Sequence, residues 1–168
     1  PDGGVGGDNL WIRGFSITTR NTAYGGLYGM LPDITISPEF AERVEVLKGP
    51  AAMLTGMPPN NSNIGGMVNI VPKRAPDQGL AQITASFGSI GQGGIHVDAG
   101  RRLGSDKQFG IRVNGVFKAG ETAVENNNEQ RGLVVVGLDF RGERVRLAAD
   151  LGYQYQNVNW VVPYFGVN

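Results

Sequence analysis

Cysteine is absent from all 168 residues. That excludes a disulfide framework, a thiolate metal site and a cysteine nucleophile. Histidine occurs once, at His96, too few for a zinc site, which takes three or four ligands. Nothing around His96 suggests a Ser-His-Asp triad. Charge is scarce and balanced: 18% of residues are charged, 15 basic against 15 acidic, so nucleic acid, which wants a basic patch, is not an expected partner. No apolar run approaches the ~18 residues of a transmembrane helix, and no charged-then-apolar leader is expected in this piece. With no acid–base pair, nucleophile or metal cluster in view, the chain is not expected to be an enzyme.

Proline is unevenly distributed. Eight of the nine lie in residues 1–76, and none falls in 77–162. Proline cannot donate to a sheet ladder, so the second stretch has the composition of hydrogen-bonded strands. The expected boundary is therefore Lys73-Arg74-Ala75-Pro76, giving parts 1–76 and 77–168. Each part balances its own charge, six against six and nine against nine. Glycine is plentiful instead, with 27 residues. Disorder is one source of such a bias, but 40% hydrophobic content and strong strand patterns argue against it. A turn-rich soluble β protein and a membrane β-barrel remain.

The first part reads as a compact α+β region. Leu10–Arg13 is a short strand and Ser16–Met30 is loop-like. Ser37-Pro38-Glu39 has the makings of a helix start, with a capping Ser, Pro at the first position and an acid on the dipole. Arg43–Leu47 alternates as a strand. Gly49-Pro50 opens a short helix through Ala51–Leu54, residues 56–66 form a Pro/Asn/Gly loop, and Met67–Val71 is a last apolar strand.

The second part alternates with period two. Ala81, Ile83, Ala85 and Phe87 share one face. Ile95, Val97 and Ala99 oppose His96 and Asp98; Phe109, Ile111, Val113 and Phe117 oppose Arg112, Asn114 and Lys118. Val134, Val136, Leu138 and Phe140 oppose Asp139 and Arg141, with Leu133 and Val135 blurring the contrast. Val145, Leu147, Ala149, Leu151, Tyr153 and Tyr155 oppose Arg146, Asp150, Gln154 and Gln156. Each strand thus has one apolar and one polar face. The result is a five-stranded antiparallel meander of about 9–12 residues per strand, and a tilted strand of ~9–11 residues crosses a bilayer. Its connections are short at 89–91, 104–106 and 141–143, and long and polar near 119–130. Period two alone does not separate a soluble sandwich from a membrane barrel. The mixed charges of the polar face suit a wet lumen, and the aromatics at strand ends, Phe87, Phe109, Phe117, Phe140, Tyr153 and Tyr155, suit interfacial girdles. On that reading the lipid face carries no charge.

Three motifs carry a resemblance. They are Ile12-Arg13-Gly14-Phe15, then Glu42 through Leu54 (ERVEVLKGPAAML), then Gly65 through Arg74 (GGMVNIVPKR). In this order and spacing the chain resembles the TonB-dependent outer-membrane receptors of the siderophore class. The resemblance covers the C-terminal part of that family's plug, and the meander falls where the family begins its barrel. Thr55 stands where the family usually has Tyr, and Pro72 where Thr is common. The implied fold is an α+β plug fragment followed by antiparallel transmembrane strands, part of a plugged 22-stranded barrel. An open five-stranded sheet has two free edges, which hydrocarbon does not tolerate, so a fragment of a larger receptor is expected.

The resemblance also implies roles. Arg13 and Lys48 match two basic plug positions that meet acidic residues on the barrel wall, because a charge inside the barrel needs a partner. Arg20, Tyr24, Tyr28 and Met30 lie on loops that match the upward-facing plug apices and are the candidates for gripping a bulky, oxygen-rich ligand. The implied ligand is a ferric siderophore, with iron arriving inside it and no protein-bound cofactor. The implied partners are a TonB-type inner-membrane energy-coupling protein and outer-membrane lipid, and the implied location is the bacterial outer membrane. Cobalamin or a glycan as ligand, a signalling receptor on the same plug, and a soluble β-rich binding domain are the alternatives. His96 is expected to be a lumen-facing polar residue. Trp160 and Tyr164 are vestibule or interfacial residues, and Asn60-Asn61-Ser62 is a sequon without meaning in a bacterial outer membrane.

Overall fold

The computed structural model describes residues 10–32, 35–49, 52–58, 64–88, 91–121 and 128–159. Trp160, Tyr164, the Asn60–Ser62 sequon and the connection 122–127 lie outside them. The chain divides into two compact units, Pro1–Lys73 and Arg74–Asn168.

In the first unit, β1 (Leu10–Ile12) and β2 (Phe15–Ile17) form a hairpin closed by Arg13-Gly14. Both turn residues have positive φ, +53° and +83°, as a type I′ turn requires. A second sheet has the order β3-β5-β4. Its centre, β5 (Gly66–Pro72), pairs parallel with β3 (Ala23–Tyr24) and antiparallel with β4 (Ala41–Lys48). β5 is buried along most of its length, which is why Met67–Val71 reads as a continuous apolar run rather than an alternating one. The turn predicted at Ser37-Pro38-Glu39 exists but is a single 3-10 turn, Pro38–Phe40, without a side-chain cap from Ser37. Phe40 is buried and β4 begins at the next residue, so the chain has no length to continue as an α-helix. The second short helix, α1, is Ala52–Thr55.

Gly65 and Gly66 are where the hairpin meets this sheet. A Cβ on Gly65 would strike the Ile12 carbonyl and, at 2.8 Å, the Phe15 Cβ. A Cβ on Gly66 would strike the Leu47 carbonyl, and its φ of +148° is one that other residues rarely adopt. The paired glycines of the motif therefore let three backbone segments come together.

The second unit is one antiparallel sheet in the order β10-β9-β8-β7-β6. The strands are β6 (Leu80–Phe87), β7 (Gly93–Leu103), β8 (Phe109–Glu121), β9 (Asn128–Arg141) and β10 (Arg146–Asn159). They run from 8 to 14 residues, longer at β8–β10 than the alternation alone suggests. The polar segment around 119–130 is largely strand: Glu121 pairs with Asn128, so only 122–127 connect β8 to β9. Register places every predicted apolar set on one face. Across the sheet Ala99, Val113, Val136 and Leu151 align, and Asp98, Asn114, Val135 and Gly152 align on the other face. Phe109 stacks on Phe140 at 4.9 Å near one end of the apolar face. Phe117 and Tyr155 flank Gly132 near the other. Phe109 and Phe117 are eight residues apart on β8, about 27 Å of strand at ~3.4 Å per residue. A tilt of 35–45° turns that into a band about 20 Å tall, close to the apolar height of an outer-membrane barrel. Leu133, Val135 and Val116 are buried although they lie on the polar face.

One expectation is corrected. The apolar face is not free of charge: Arg101 sits in the outward row with Val97, Ala99 and Leu103. Glu121, at the far end of β8, shares that face as well.

The polar face is a charge-paired surface that holds the segment leading into β6. Arg112 makes a two-point contact with Asp98 at 2.6 and 2.8 Å and donates to the Arg74 carbonyl at 3.0 Å. Arg102 donates to the carbonyls of Ala75, Lys107 and Gln108 and to the Asp139 carboxylate. Arg74 itself grips Asp150 on β10 at 2.6 and 2.7 Å. Residues 74–77 thus cross the inner face from β10 back toward β6. The strands make room for them with glycine: a Cβ on Gly100 would lie 3.2 Å from Pro76, and one on Gly110 would lie 2.9 Å from Ala75.

The Arg112–Asp98 pair is nearly closed to solvent, 8% and 5% exposed at the side chains. Removing one partner strands the other as a buried charge, which costs about 3–5 kcal/mol. Arg112→Met is expected to lower stability by that amount, read from the urea midpoint. Arg112→Met combined with Asp98→Leu is expected to recover part of it, the Arg74 carbonyl still lacking its donor. Gly110→Ala is expected to destabilise as well, through collision with Ala75 and with the Asp139 carboxylate.

Candidate functional site

The candidate residues occupy two regions of the first unit. Arg13 and Lys48 come together. Arg13 is carried on the hairpin turn, Lys48 ends β4, and both line one groove of about 560 Å³ with Trp11, Val46 and Val68. Arg13 Nη1 would lie 3.8 Å from a Cβ on Gly49, so the glycine after Lys48 leaves its guanidinium room. Both cations are exposed, and among the described residues neither has an acidic partner. Two like charges facing one groove repel, and an acid brought against them would be held strongly.

The loop candidates are split by their packing. Arg20 lies in the 3-10 turn Thr19–Asn21 with its side chain exposed. Met30 is 62% exposed. Tyr24 is half-buried, with its ring 5.8 Å from Phe40. Tyr28 packs against buried Ala23 and Met67. Its hydroxyl bonds Thr55 Oγ1 at 3.2 Å and donates to Met67 Sδ at 3.8 Å. Tyr28 therefore ties the 25–32 loop to α1 through Thr55, which stands where the motif family usually has Tyr. Leu27, Met30, Met53 and Met57 remain exposed on these two segments. They offer soft, adaptable apolar surface.

Asn69 was not singled out from the sequence, yet it organises the loop. Its Oδ1 accepts from the Gly26 amide at 2.9 Å, and its Nδ2 donates to Glu45 Oε2 at 2.9 Å. Glu45 also takes a hydrogen bond from Arg43 Nε at 2.8 Å. The turn Tyr24–Leu27 is closed by two backbone bonds of its own, 2.8 and 3.0 Å. Asn69 then fixes that turn to β4 across the sheet. The only sequence signal was its position as a polar residue inside the apolar run Met67–Val71. His96 lies on the polar face of the second unit, with Nε2 3.4 Å from Asn114 Oδ1. No group of three or more potential metal ligands occurs among the described residues.

The Asn69 amide, then Arg43, hold the Glu45 carboxyl below its ordinary pKa. A depressed carboxylate contributes stability that is present above its unfolded value and lost as pH falls through the folded one. Asn69→Asp removes the largest lowering influence on Glu45 and puts a second carboxylate beside it. The variant is expected to lose protection of the 24–31 loop from proteolysis at neutral pH and to regain part of it on acidification. The parent loop is expected to weaken only on acidification.

The wider comparisons agree with this architecture. The family described as the TonB-dependent Receptor Plug Domain matches residues 1–67. The ferrichrome receptor FcuA of Yersinia enterocolitica is 44% identical over 151 residues, covering 90% of this chain and 20% of that protein. The ferrichrome outer membrane transporter/phage receptor of Escherichia coli strain K12 is 27% identical over 139 residues, 80% of this chain and 18% of that one. The solved structure of BauA, the ferric preacinetobactin receptor from Acinetobacter baumannii, superposes with a TM-score of 0.87 at 43% identity, over 94% of this chain and 23% of that one. The pyoverdine receptor FpvA of Pseudomonas aeruginosa shares the fold, with a TM-score of 0.76 at 20% identity, over 89% of this chain and 22% of that one. The chain spans about a fifth of the length of the curated relatives it matches. By its motifs, its fold and these relatives it belongs to the TonB-dependent receptors, and it comprises plug residues followed by antiparallel strands.

Proposed function

We propose that the chain is part of an outer-membrane active transporter that binds a ferric siderophore and imports it with energy supplied from the inner membrane. The carrying observation is the two-faced sheet: an apolar face ringed by aromatics at both ends, and an inner face on which buried charges are paired. Such a sheet suits a lipid-embedded wall around a polar interior. The high identity to FcuA and BauA, named as ferrichrome and ferric preacinetobactin receptors, supports the ligand class.

In this reading Arg20 and Met30 touch the ligand directly. Tyr24 and Tyr28 present ring edges while holding the loop through Phe40 and Thr55. Iron is cargo, carried inside the ligand. Arg13 and Lys48 hold acidic side chains of the barrel wall, and a TonB-type inner-membrane protein supplies the pull that loosens the plug. No chemistry is catalysed.

Deleting the gene is expected to abolish uptake of at least one radiolabelled ferric siderophore by iron-starved cells. Unchanged uptake across hydroxamate and catecholate panels would overturn the transport reading. Recovery of the protein in the aqueous phase, rather than with outer membranes, would overturn the membrane reading. Arg13→Asn keeps a residue suited to positive φ while removing the charge. It is expected to leave ligand binding intact and to reduce transport at least tenfold. Tyr28→Phe is expected to weaken binding severalfold, because it releases the loop from Thr55.

A further inference from the structure

Arg101 stands out against the outer face of the second unit. On β7 the outward row is Ile95, Val97, Ala99, Arg101 and Leu103. Three arginines of the inner face, Arg74, Arg102 and Arg112, each hold an aspartate. Arg101 is exposed and has no ion pair among the described residues. Beside it the face is hollow. Gly79, Ala81 and Ala99 are small, Ile111 and Val113 form the far wall, and the depression measures about 530 Å³. Asp77 stands at its rim, with the carboxylate 3.4 Å from Arg141 Nη1.

An unpaired guanidinium on a lipid-facing surface is expensive unless its head reaches the interface. Arg101 lies two residues from the end of β7 at Leu103, whose partner Phe109 belongs to the aromatic row. Its head therefore reaches the level at which phosphates lie, and guanidinium pairs with phosphate through two parallel hydrogen bonds. This end of the sheet carries the connections 104–108 and 142–145. Tight turns of outer-membrane barrels face the periplasm, on the phospholipid side of that membrane.

The geometry points to a phospholipid site on the outer face of β6–β8. The headgroup phosphate sits on Arg101, and one acyl chain lies over Ala81 and Ala99 against Ile111 and Val113. The charge selects the phosphate and the missing side-chain volume selects the chain, so a bound phospholipid satisfies both halves of the feature. The site rests on the membrane-embedded reading given above.

The test is native mass spectrometry of the protein extracted from outer membranes in mild detergent, titrated with phosphatidylglycerol or phosphatidylethanolamine. The parent is expected to retain one phospholipid that Arg101→Gln loses, with occupancy about fivefold lower, the worth of one basic residue at a lipid surface. Ala99→Leu keeps the charge but fills the hollow, and is expected to lose the same lipid. Leu151→Ala, on the same face but far from Arg101, is expected to keep it. Equal retention by the parent, Arg101→Gln and Ala99→Leu would overturn the site while leaving the membrane reading intact. Displacement of the lipid by inorganic phosphate alone would overturn it too, since the acyl half would then contribute nothing. Failure of the parent to fractionate with membranes would overturn the membrane reading and this site with it.

Discussion

Arg102 and Arg112 are buried cations in the wall of a sheet, and a guanidinium has five donors that must find acceptors. In this protein the strands alone do not supply them. Asp98 and Asp139 neutralise the charge, but the remaining donors go to backbone carbonyls of Arg74, Ala75, Lys107 and Gln108. Two of those carbonyls belong to the segment that enters the sheet. The inner face and the crossing segment therefore depend on each other. Without the segment the arginines would keep unpaired donors in a poorly solvated place, and without the arginines the segment would cross four strands with its carbonyls unsatisfied. Glycines 100 and 110 complete the arrangement by removing the side chains that would hold the segment off the sheet. Hence residues 74–77 belong energetically to the strands, although their proline and charge content resembles the part before them.

That dependence explains what could be read in advance and what could not. The strands were legible because an alternating pattern over ten residues has few other readings, and the register then put each apolar set on one face. The mixed charges on the opposite face were legible as charges, but read as the lining of a wet lumen. Their pairing was hidden because Arg112 meets Asp98 across a strand pair and Arg74 meets Asp150 over 76 positions. Nothing local marks such pairs. Arg101 was hidden for a different reason. The run Gly100-Arg101-Arg102 places one arginine on each face of β7; continuing the alternation of Ile95, Val97 and Ala99 puts Arg101 in the apolar row, but a glycine followed by two arginines gives no sign that the strand runs on to Leu103.

The first unit was legible mainly through its motifs. Arg13 and Lys48 are 35 positions apart and look like ordinary surface charges, yet they share a groove because the hairpin packs where β4 ends. The tyrosines were recognisable as loop aromatics, but their partners, Phe40 for Tyr24 and Thr55 for Tyr28, come from other segments. Asn69 went unremarked because a polar residue in an apolar strand is usually a neutral tolerance. Here its side chain reaches both the apical turn and β4.

The hairpin turn bears on what the first unit is built to do. A two-residue turn with both φ positive is best served by Asn-Gly or Gly-Gly, and a long side chain in that conformation costs of order 1–2 kcal/mol. Arg13 occupies the first of these positions. A fold under pressure for stability alone would not keep arginine there, because asparagine closes the same turn without the penalty. What arginine adds is a guanidinium at the tip of a rigid hairpin, beside Lys48 and over a glycine that leaves it space. Both cations face the same groove, so an anion brought against it would meet two positive charges. In the reading proposed above, the strained turn and the two like charges on one groove fit a pair completed by an acid outside the residues that carry it.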